Sequence, residues 1–234
     1  MTRPITRDPI YRRRRFEAEI IELCVRWYIT YRLSYRDLVA MVAERGLNVS
    51  HTSRALRAGV REAMEPVSRQ VNCSWRVDET YICVHTKWHY LYRAVDKHGK
   101  TVDFLLRPDR GIAAAQAFFR KALATNLPRW PRKVTLDGHA PSHRALRFLC
   151  REDPKWKHVR VRSCRYLNNI VEQDHRAIKR RCASMTGFKS FHNASITLAG
   201  IELAHRIRKR QFSFGPGRQR RAWSLKQLWG RALA

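Results

Sequence analysis

Three predicted strands lie in residues 75–106, which read WRVDETYICVHTKWHYLYRAVDKHGKTVDFLL. Three segments within them are rich in the β-branched and aromatic residues that favour strands: Trp75–Val84, Trp88–Asp96 and Thr101–Leu106. The short polar gaps at 85–87 and 97–100 suit tight turns. The stretch therefore predicts three consecutive antiparallel strands, a β-meander.

Helices and short strands are predicted to alternate after this meander. In chain order they are a helix over Ile112–Ala124, a strand over Lys133–Leu136, a helix over Pro141–Cys150, a strand over Val159–Val161, a helix over Asn168–Cys182 and a final helix over Phe191–Phe212. This order predicts an α/β fold, with one mixed sheet and helices on its faces.

The region before the meander is predicted to be helical. Apolar residues spaced three and four apart predict an amphipathic helix over Phe16–Tyr31. Ser34 is a good N-cap for a second helix, and Gly46 is suited to end it. A third helix is expected from about His51. Three such helices are typical of a helix-turn-helix domain, with any small helical bundle as the alternative. Its third helix would present three arginines to DNA: Arg54, Arg57 and Arg61.

The net charge of the chain indicates a polyanionic partner. The 48 Lys and Arg outnumber the 19 Asp and Glu, which gives +29, and 37 of the cations are Arg. Solubility needs a charge of magnitude only about 2–8, whereas arginine forks match phosphate oxygens. Nucleic acid is therefore the expected partner. No stretch approaches the roughly 20 apolar residues of a membrane helix, and no signal peptide is evident, so we expect a cytoplasmic protein without membrane contact.

Three acidic residues stand where catalytic carboxylates are expected. Asp78 lies inside the first predicted strand, where a carboxylate is costly unless a cation compensates it. Asp137 ends a short apolar strand, and ligand sites of open α/β sheets cluster at such strand ends. Glu172 lies on a predicted helix. If the first and fourth strands are neighbours and this helix crosses them, the three carboxylates converge.

Converging carboxylates repel one another, and hard divalent cations relieve the repulsion. Two Mg²⁺ ions about 3.5–4 Å apart support in-line phosphoryl transfer, and no protein nucleophile is needed. Each acid also has a structural alternative: a pair of Asp78 with Arg76 or Arg93, an ordinary Asp137-Gly138 turn, and an ion pair between Glu172 and Arg176. Strand alternation alone leaves open Asp78 or Glu79, and helix phase alone leaves open Glu172 or Asp174.

These residues resemble the DDE transposases of bacterial insertion sequences, and specifically the IS-six family. Four segments carry the resemblance: Trp75–Ile82, Trp88–Phe104, Thr135–Asp137, and Tyr166–His175 with the following Lys179 and Arg180. The 34 residues between Asp137 and Glu172 match the spacing in this family. The likeness covers about residues 11–212.

The resemblance implies an RNase H-like catalytic core in which Asp78, Asp137 and Glu172 bind Mg²⁺ or Mn²⁺. It implies DNA cleavage at terminal inverted repeats, strand transfer into target DNA, and a dimer or larger assembly on double-stranded DNA in the nucleoid. Lys179 and Arg180 are then expected to contact DNA phosphate.

The expected domains are a basic arm (1–15), a helix-turn-helix region (16–70), the RNase H-like DDE core (71–185) and a C-terminal helix with a basic tail (186–234). Three other functions remain open at this stage: a non-catalytic helix-turn-helix regulator, a structure-selective nuclease and an inactive transposase copy.

Overall fold

The structure is a computed structural model that describes residues 18–31, 33–47, 71–164, 169–183 and 187–212. Contacts divide the chain into two compact units. Of the described residues, 71–179 and 187–189 form the first unit, which we call the sheet unit, and the others form the second, the helical unit.

The sheet unit contains five strands, three complete helices and the first part of a fourth. Its elements are β1 (Ser74–Val84), β2 (Lys87–Asp96), β3 (Thr101–Arg107), α3 (Ile112–Asn126), β4 (Lys133–Leu136), α4 (Ala140–Glu152), a 3₁₀-helix (Pro154–His158), β5 (Arg160–Ser163) and α5 (Asn169–Ala183), which continues into the helical unit. Every predicted strand is present within one or two residues. The short 3₁₀-helix is an addition to the prediction, and Asp153 caps its start by accepting from the Lys155 amide at 2.9 Å.

The five strands form one mixed sheet in the order β3-β2-β1-β4-β5. β2 is antiparallel to β1 and β3, whereas β4 runs parallel to β1 and β5 runs parallel to β4. A three-stranded meander extended by two parallel strands is the RNase H-like arrangement, so the predicted fold class is confirmed. The sequence predicts that Asp78 and Asp137 converge if the first and fourth strands are neighbours. β1 and β4 are neighbours in the sheet, so this condition is met.

Helices α3 and α4 cover one face of the sheet. Trp75 and Val77 from β1 and Tyr92 from β2 are buried there against Phe118 and Leu146. Side chains alternate along a strand, so Asp78, beside Val77, lies on the opposite face. The sheet therefore separates its apolar core from the face on which the predicted carboxylate lies.

The helical unit contains α1 (Ala18–Thr30), α2 (Tyr35–Ala43), the end of α5 and α6 (Phe191–Arg208). Ser34 forms the predicted N-cap of α2 within a reciprocal capping box with Asp37. Arg181 and Arg208 donate to the carbonyls of Ile29 (3.3 Å) and Thr30 (2.8 Å), so arginines from late in the chain satisfy the C-terminus of α1.

The predicted third N-terminal helix lies outside the described residues, and the helix-turn-helix therefore stays a prediction. The final helix is four residues shorter than predicted, because it ends at Arg208 and Arg210 adopts a positive φ of 51°. None of the helices that the structure describes has the length and apolarity needed to cross a membrane.

Candidate active site

Neighbouring parallel strands bring Asp78 and Asp137 together. Arg76 on β1 is in register with Thr135 on β4, so two further residues along each strand lead to Asp78 and Asp137. Carboxylate oxygens of Asp78, Glu79 and Asp137 lie within 4.8 Å of one another. The structure thus joins two of the three predicted acids directly, together with Glu79.

The environment of Asp78 disfavours its negative charge. Burial raises the pKa of Asp78 to about 7, and repulsion from Asp137, Glu79 and then Glu172 acts in the same direction, against a hydrogen bond from the Glu79 backbone that lowers it. Glu172 contributes least of the three acids to this shift, and it is not among the three acids whose oxygens lie within 4.8 Å of one another.

Glu79 is held by groups from two other elements. The Ser142 hydroxyl donates to its Oε1 at 2.6 Å, and the Arg110 guanidinium lies 3.4 Å from its Oε2. The imidazole Nδ1 of His139 is 3.5 Å from Oε1. Both carboxylate oxygens are therefore engaged, and the Glu79 side chain is only 3% exposed.

A sharp turn positions Asp137 after β4. Gly138 has a φ of +105°, a conformation that side chains rarely adopt. The next amide, that of His139, donates to Oδ1 of Asp137 at 3.0 Å. Helix α4 begins at once, with His139 as its N-cap residue. His139 is thus part of this turn.

Helix α5 presents its acids in two different ways. Asp174 is buried and lies 3.4 Å from the guanidinium of Arg93, a fully buried side chain on β2 that stands opposite Asp78 in the sheet register. Glu172 is exposed in the first turn of the same helix. Helix phase alone left open Glu172 or Asp174, and the structure shows a difference between them: Asp174 pairs with Arg93 of the sheet, and Glu172 is exposed.

His175 is a site residue that the sequence analysis missed. Its Nδ1 lies 3.5 Å from Oδ2 of Asp78, and the ring is buried. Burial, followed by the nearby charges of Arg93 and Lys179, lowers the pKa of His175 to about 3, so the imidazole is neutral at physiological pH. The one available signal was its position three residues after Glu172, one helical turn along the same face.

The predicted DNA-binding residues fall into two groups. Lys179 and Arg180 are exposed on α5. Arg54, Arg57 and Arg61 lie outside the described residues.

The carboxylate oxygens of this site are suitable ligands for a hard divalent cation. Mg²⁺ and Mn²⁺ prefer oxygen ligands, and the clustered acids supply carboxylate oxygens whose mutual repulsion already disfavours the charge of Asp78. Bound divalent cations would replace this repulsion with attraction.

The comparisons with known proteins agree with this site. A family model described as a DDE domain matches residues 72–211. The chain is 35% identical over 205 residues to the transposase for insertion sequence-like element IS431mec of Staphylococcus aureus strain Mu50, covering 86% of this chain and 89% of the relative. It shows the same identity and coverage with the S. aureus transposase for insertion sequence element IS257 in transposon Tn4003.

Solved structures of retroviral integrases show a weaker likeness. The HTLV-2 integrase catalytic core domain in complex with magnesium matches with a TM-score of 0.42 and 12% identity, over 58% of this chain and 84% of that chain. The catalytic core domain of BIV integrase matches with a TM-score of 0.41 and 18% identity, over 55% and 81%. The family match and the curated relatives are sufficient: the chain belongs to the DDE-domain transposases of the IS-six family of insertion sequences.

Proposed function

We propose that Asp78, Asp137 and Glu172 bind two divalent cations, Mg²⁺ or Mn²⁺, and that the chain uses them to cut and join DNA at the ends of its insertion sequence. The observation that carries this proposal is the convergence of Asp78 and Asp137 on neighbouring parallel strands, with oxygens within 4.8 Å, inside the matched DDE domain.

Glu172 is proposed as the third ligand in preference to Glu79. Both oxygens of Glu79 are engaged by Ser142 and Arg110, and the side chain is buried. Glu172 is exposed, and its charge contributes to the raised pKa of Asp78. A surface carboxylate can move onto a cation more readily than one that must first leave a cationic partner.

The proposed reaction is two successive phosphoryl transfers. In the first, a water oxygen attacks the phosphorus at the end of the element, the bond to the 3′ oxygen breaks, and that oxygen leaves as a 3′-hydroxyl. In the second, the 3′-hydroxyl loses its proton and attacks a target phosphodiester, whose own 3′ oxygen departs and takes up a proton. Divalent cations at the site would stabilise the attacking and leaving oxygens of both displacements.

The chain's own residues hold the reacting groups. Arg93 and Asp174 connect α5 to the sheet, which keeps Glu172 near Asp78. The neutral His175 ring lies beside the Asp78 carboxylate and limits the movement of that side chain. Lys179 lies seven residues after Glu172, two helical turns along the same face, where it can bind a phosphate next to the cleaved bond.

Recognition of the element ends is assigned in this proposal to the predicted helix-turn-helix over 16–70, with Arg54, Arg57 and Arg61 as base-reading or phosphate-binding residues, while 71–185 carries out the chemistry. Lys179 and Arg180 add phosphate contacts. The two ends must be held together for joining, so we propose a dimer or larger assembly on double-stranded DNA, acting on the nucleoid in the cytoplasm.

A cleavage and joining assay tests the proposal. Duplexes carrying the element's own terminal repeats are incubated with the full chain and Mg²⁺, and the products are resolved for each variant. Asp78→Asn, Asp137→Asn and Glu172→Gln are expected to abolish both steps and to retain DNA binding. Glu152→Gln, an exposed acid on α4, is the matched control and is expected to act like the wild type.

The outcome separates the proposed function from the other candidates. Cleavage without joining would indicate a nuclease, and binding without either step would indicate a regulator or an inactive copy. Full activity in all three carboxylate variants would overturn the proposed site.

A further inference from the structure

Aromatic side chains are exposed at the tip of the β1–β2 hairpin, on the sheet face that also carries Glu79. Trp88 is 64% exposed and Tyr81 is 45% exposed, whereas Tyr90 packs against the core. The Tyr81 ring contacts Trp88 edge-on at 6.3 Å between centroids and Tyr90 at 5.4 Å. We call these three residues the aromatic cluster. Nothing in the proposed reaction uses it.

A tight turn and a backbone hydrogen bond form the tip of the β1–β2 hairpin. A two-residue turn joins the strands, and both of its residues, His85 and Thr86, adopt positive φ values of 48° and 65°. Two-residue hairpin turns require such values because their twist matches that of the flanking strands, and they cost non-glycine residues about 1–3 kcal/mol each. The tip is also fastened from outside, because the His85 amide donates to the Phe188 carbonyl at 2.7 Å.

Cations surround the aromatic cluster. The Arg110 guanidinium lies 5.8 Å from the centroid of the Tyr81 ring, and its Nη1 is 3.2 Å from the Tyr81 hydroxyl. Arg107 stands opposite Tyr90 in the register of β2 and β3, and Lys87 is exposed beside Trp88. Exposed rings interleaved with cations are the composition of a nucleic-acid stacking surface.

The aromatic cluster adjoins the carboxylates. Arg110 contacts Tyr81 and Glu79 with the same guanidinium, and Glu79 oxygens lie within 4.8 Å of those of Asp78 and Asp137. Tyr81 lies two residues beyond Glu79 on β1 and on the same face of the sheet, whereas Asp78 lies on the opposite face, and Trp88 is paired with Cys83, four residues beyond Glu79. At about 3.3 Å per residue these separations from Glu79 are roughly 7 and 13 Å, which is about two to four nucleotides of B-form DNA.

We propose that the aromatic cluster stacks on unpaired bases of the DNA strand that lies in the carboxylate site, a few nucleotides from the bond that is cut. This inference rests on the proposed function, because it takes the carboxylates as the place where the strand is cut. Stacked bases hold the strand end open and fix its position, while Arg107 and Arg110 bind the adjacent phosphates.

The test compares two DNA probes with the full chain. One is a duplex of the element's terminal repeat with a five-nucleotide unpaired arm that carries 2-aminopurine, and the other is the same duplex fully paired. Trp88→Ala and Tyr81→Ala are each expected to weaken binding of the forked probe about tenfold, the loss typical of one stacked base, and to leave the paired probe within about twofold. Trp88→Phe is expected to retain most of the affinity.

The matched control is Phe148→Ala on α4. Phe148 is 41% exposed and also lies under an arginine, with the Arg151 guanidinium 5.6 Å from the ring centroid, but it is outside the aromatic cluster. It is expected to bind both probes like the wild type. Circular dichroism of each variant verifies that it is folded.

Fluorescence separates this inference from the proposed reaction. The wild type and the Asp137→Asn variant are both expected to quench the 2-aminopurine, since stacking needs no catalysis, and Trp88→Ala is expected to lose the quenching. Quenching without any cleavage by the wild type would refute the reaction alone. Unchanged binding and quenching in Trp88→Ala would overturn the stacking surface. It would also be overturned if the wild type is an oligomer in DNA-free solution and Trp88→Ala is a monomer, because the aromatic cluster would then be a contact between copies of the chain.

Discussion

Replacing Asp174 with alanine removes the carboxylate that faces a guanidinium in the middle of the sheet. Arg93 is fully buried and lies 3.4 Å from Asp174, whose side chain is 12% exposed. Breaking a buried ion pair by deleting one partner typically costs about 3–5 kcal/mol, because the remaining charge loses its compensation. The pair is long and one side reaches solvent, so we expect the lower end, about 3 kcal/mol.

Hydrogen exchange measured by mass spectrometry is the appropriate assay, since it reports the stability of the sheet unit separately from the rest of the chain. A loss of about 3 kcal/mol corresponds to roughly hundredfold faster exchange in peptides that cover β1 and β2. The double variant Arg93→Met with Asp174→Leu is expected to recover most of the protection, because apolar residues of similar size often replace buried ion pairs without loss.

The pair between Arg120 and Glu152 supplies the control. It joins α3 and α4 at 2.5 Å, but both side chains are about half exposed, at 51% and 50%. Glu152→Ala is therefore expected to cost less than about 1 kcal/mol. If Asp174→Ala changes exchange less than threefold, the ion pair does not hold α5 on the sheet, and the reason given for the position of Glu172 fails.

Other predictions concern the turns, the helical unit and the charge. Replacing His85 and Thr86 with Asn-Gly, the pair preferred at two positive φ values, is expected to stabilise the β1–β2 hairpin by about 1 kcal/mol or more, and unchanged exchange at the tip would contradict this. Gly138→Ala is expected to destabilise the turn by about 1–2 kcal/mol and to slow cleavage by displacing Asp137, although its Cβ would make only an ordinary contact of 3.7 Å with Oγ of Ser163; normal cleavage would show that the positive φ is not needed. Arg181→Ala removes a hydrogen bond to the end of α1 and is expected to lower the thermal stability of the helical unit by about 1–3 kcal/mol; equal melting of mutant and wild type would refute this. The logarithm of DNA affinity is expected to fall by about 0.9 per phosphate neutralised for each tenfold rise in salt, and a flat response would exclude phosphate-driven binding.

The order of elements was predictable because each strand and helix carries a local signal. The β-branched and aromatic residues of β1 and β2, the N-cap at Ser34 and the apolar run before Asp137 all led to elements with bounds within two residues of the structure. These signals depend on neighbours in the chain, and therefore they do not require knowledge of the fold.

The choice between adjacent acids was not predictable, because it depends on distant partners. Glu79 is engaged by Ser142 and Arg110, which are 63 and 31 residues away in sequence, and Asp174 by Arg93, 81 residues away. A strand with polar residues on both faces gives no local sign of which face is buried. The same holds for α1, whose last carbonyls are bound by arginines more than 150 residues later.

Binding of Mn²⁺ to the DNA-bound chain, measured by electron paramagnetic resonance, tests the central claim most directly. The account predicts that the wild type binds two Mn²⁺ ions, that Asp137→Asn removes tight binding, and that Glu172→Gln weakens it at least tenfold, whereas Glu79→Gln weakens it less than Glu172→Gln does. Equal Mn²⁺ binding by the wild type, Asp137→Asn and Glu172→Gln would contradict the assignment of these carboxylates as the metal site.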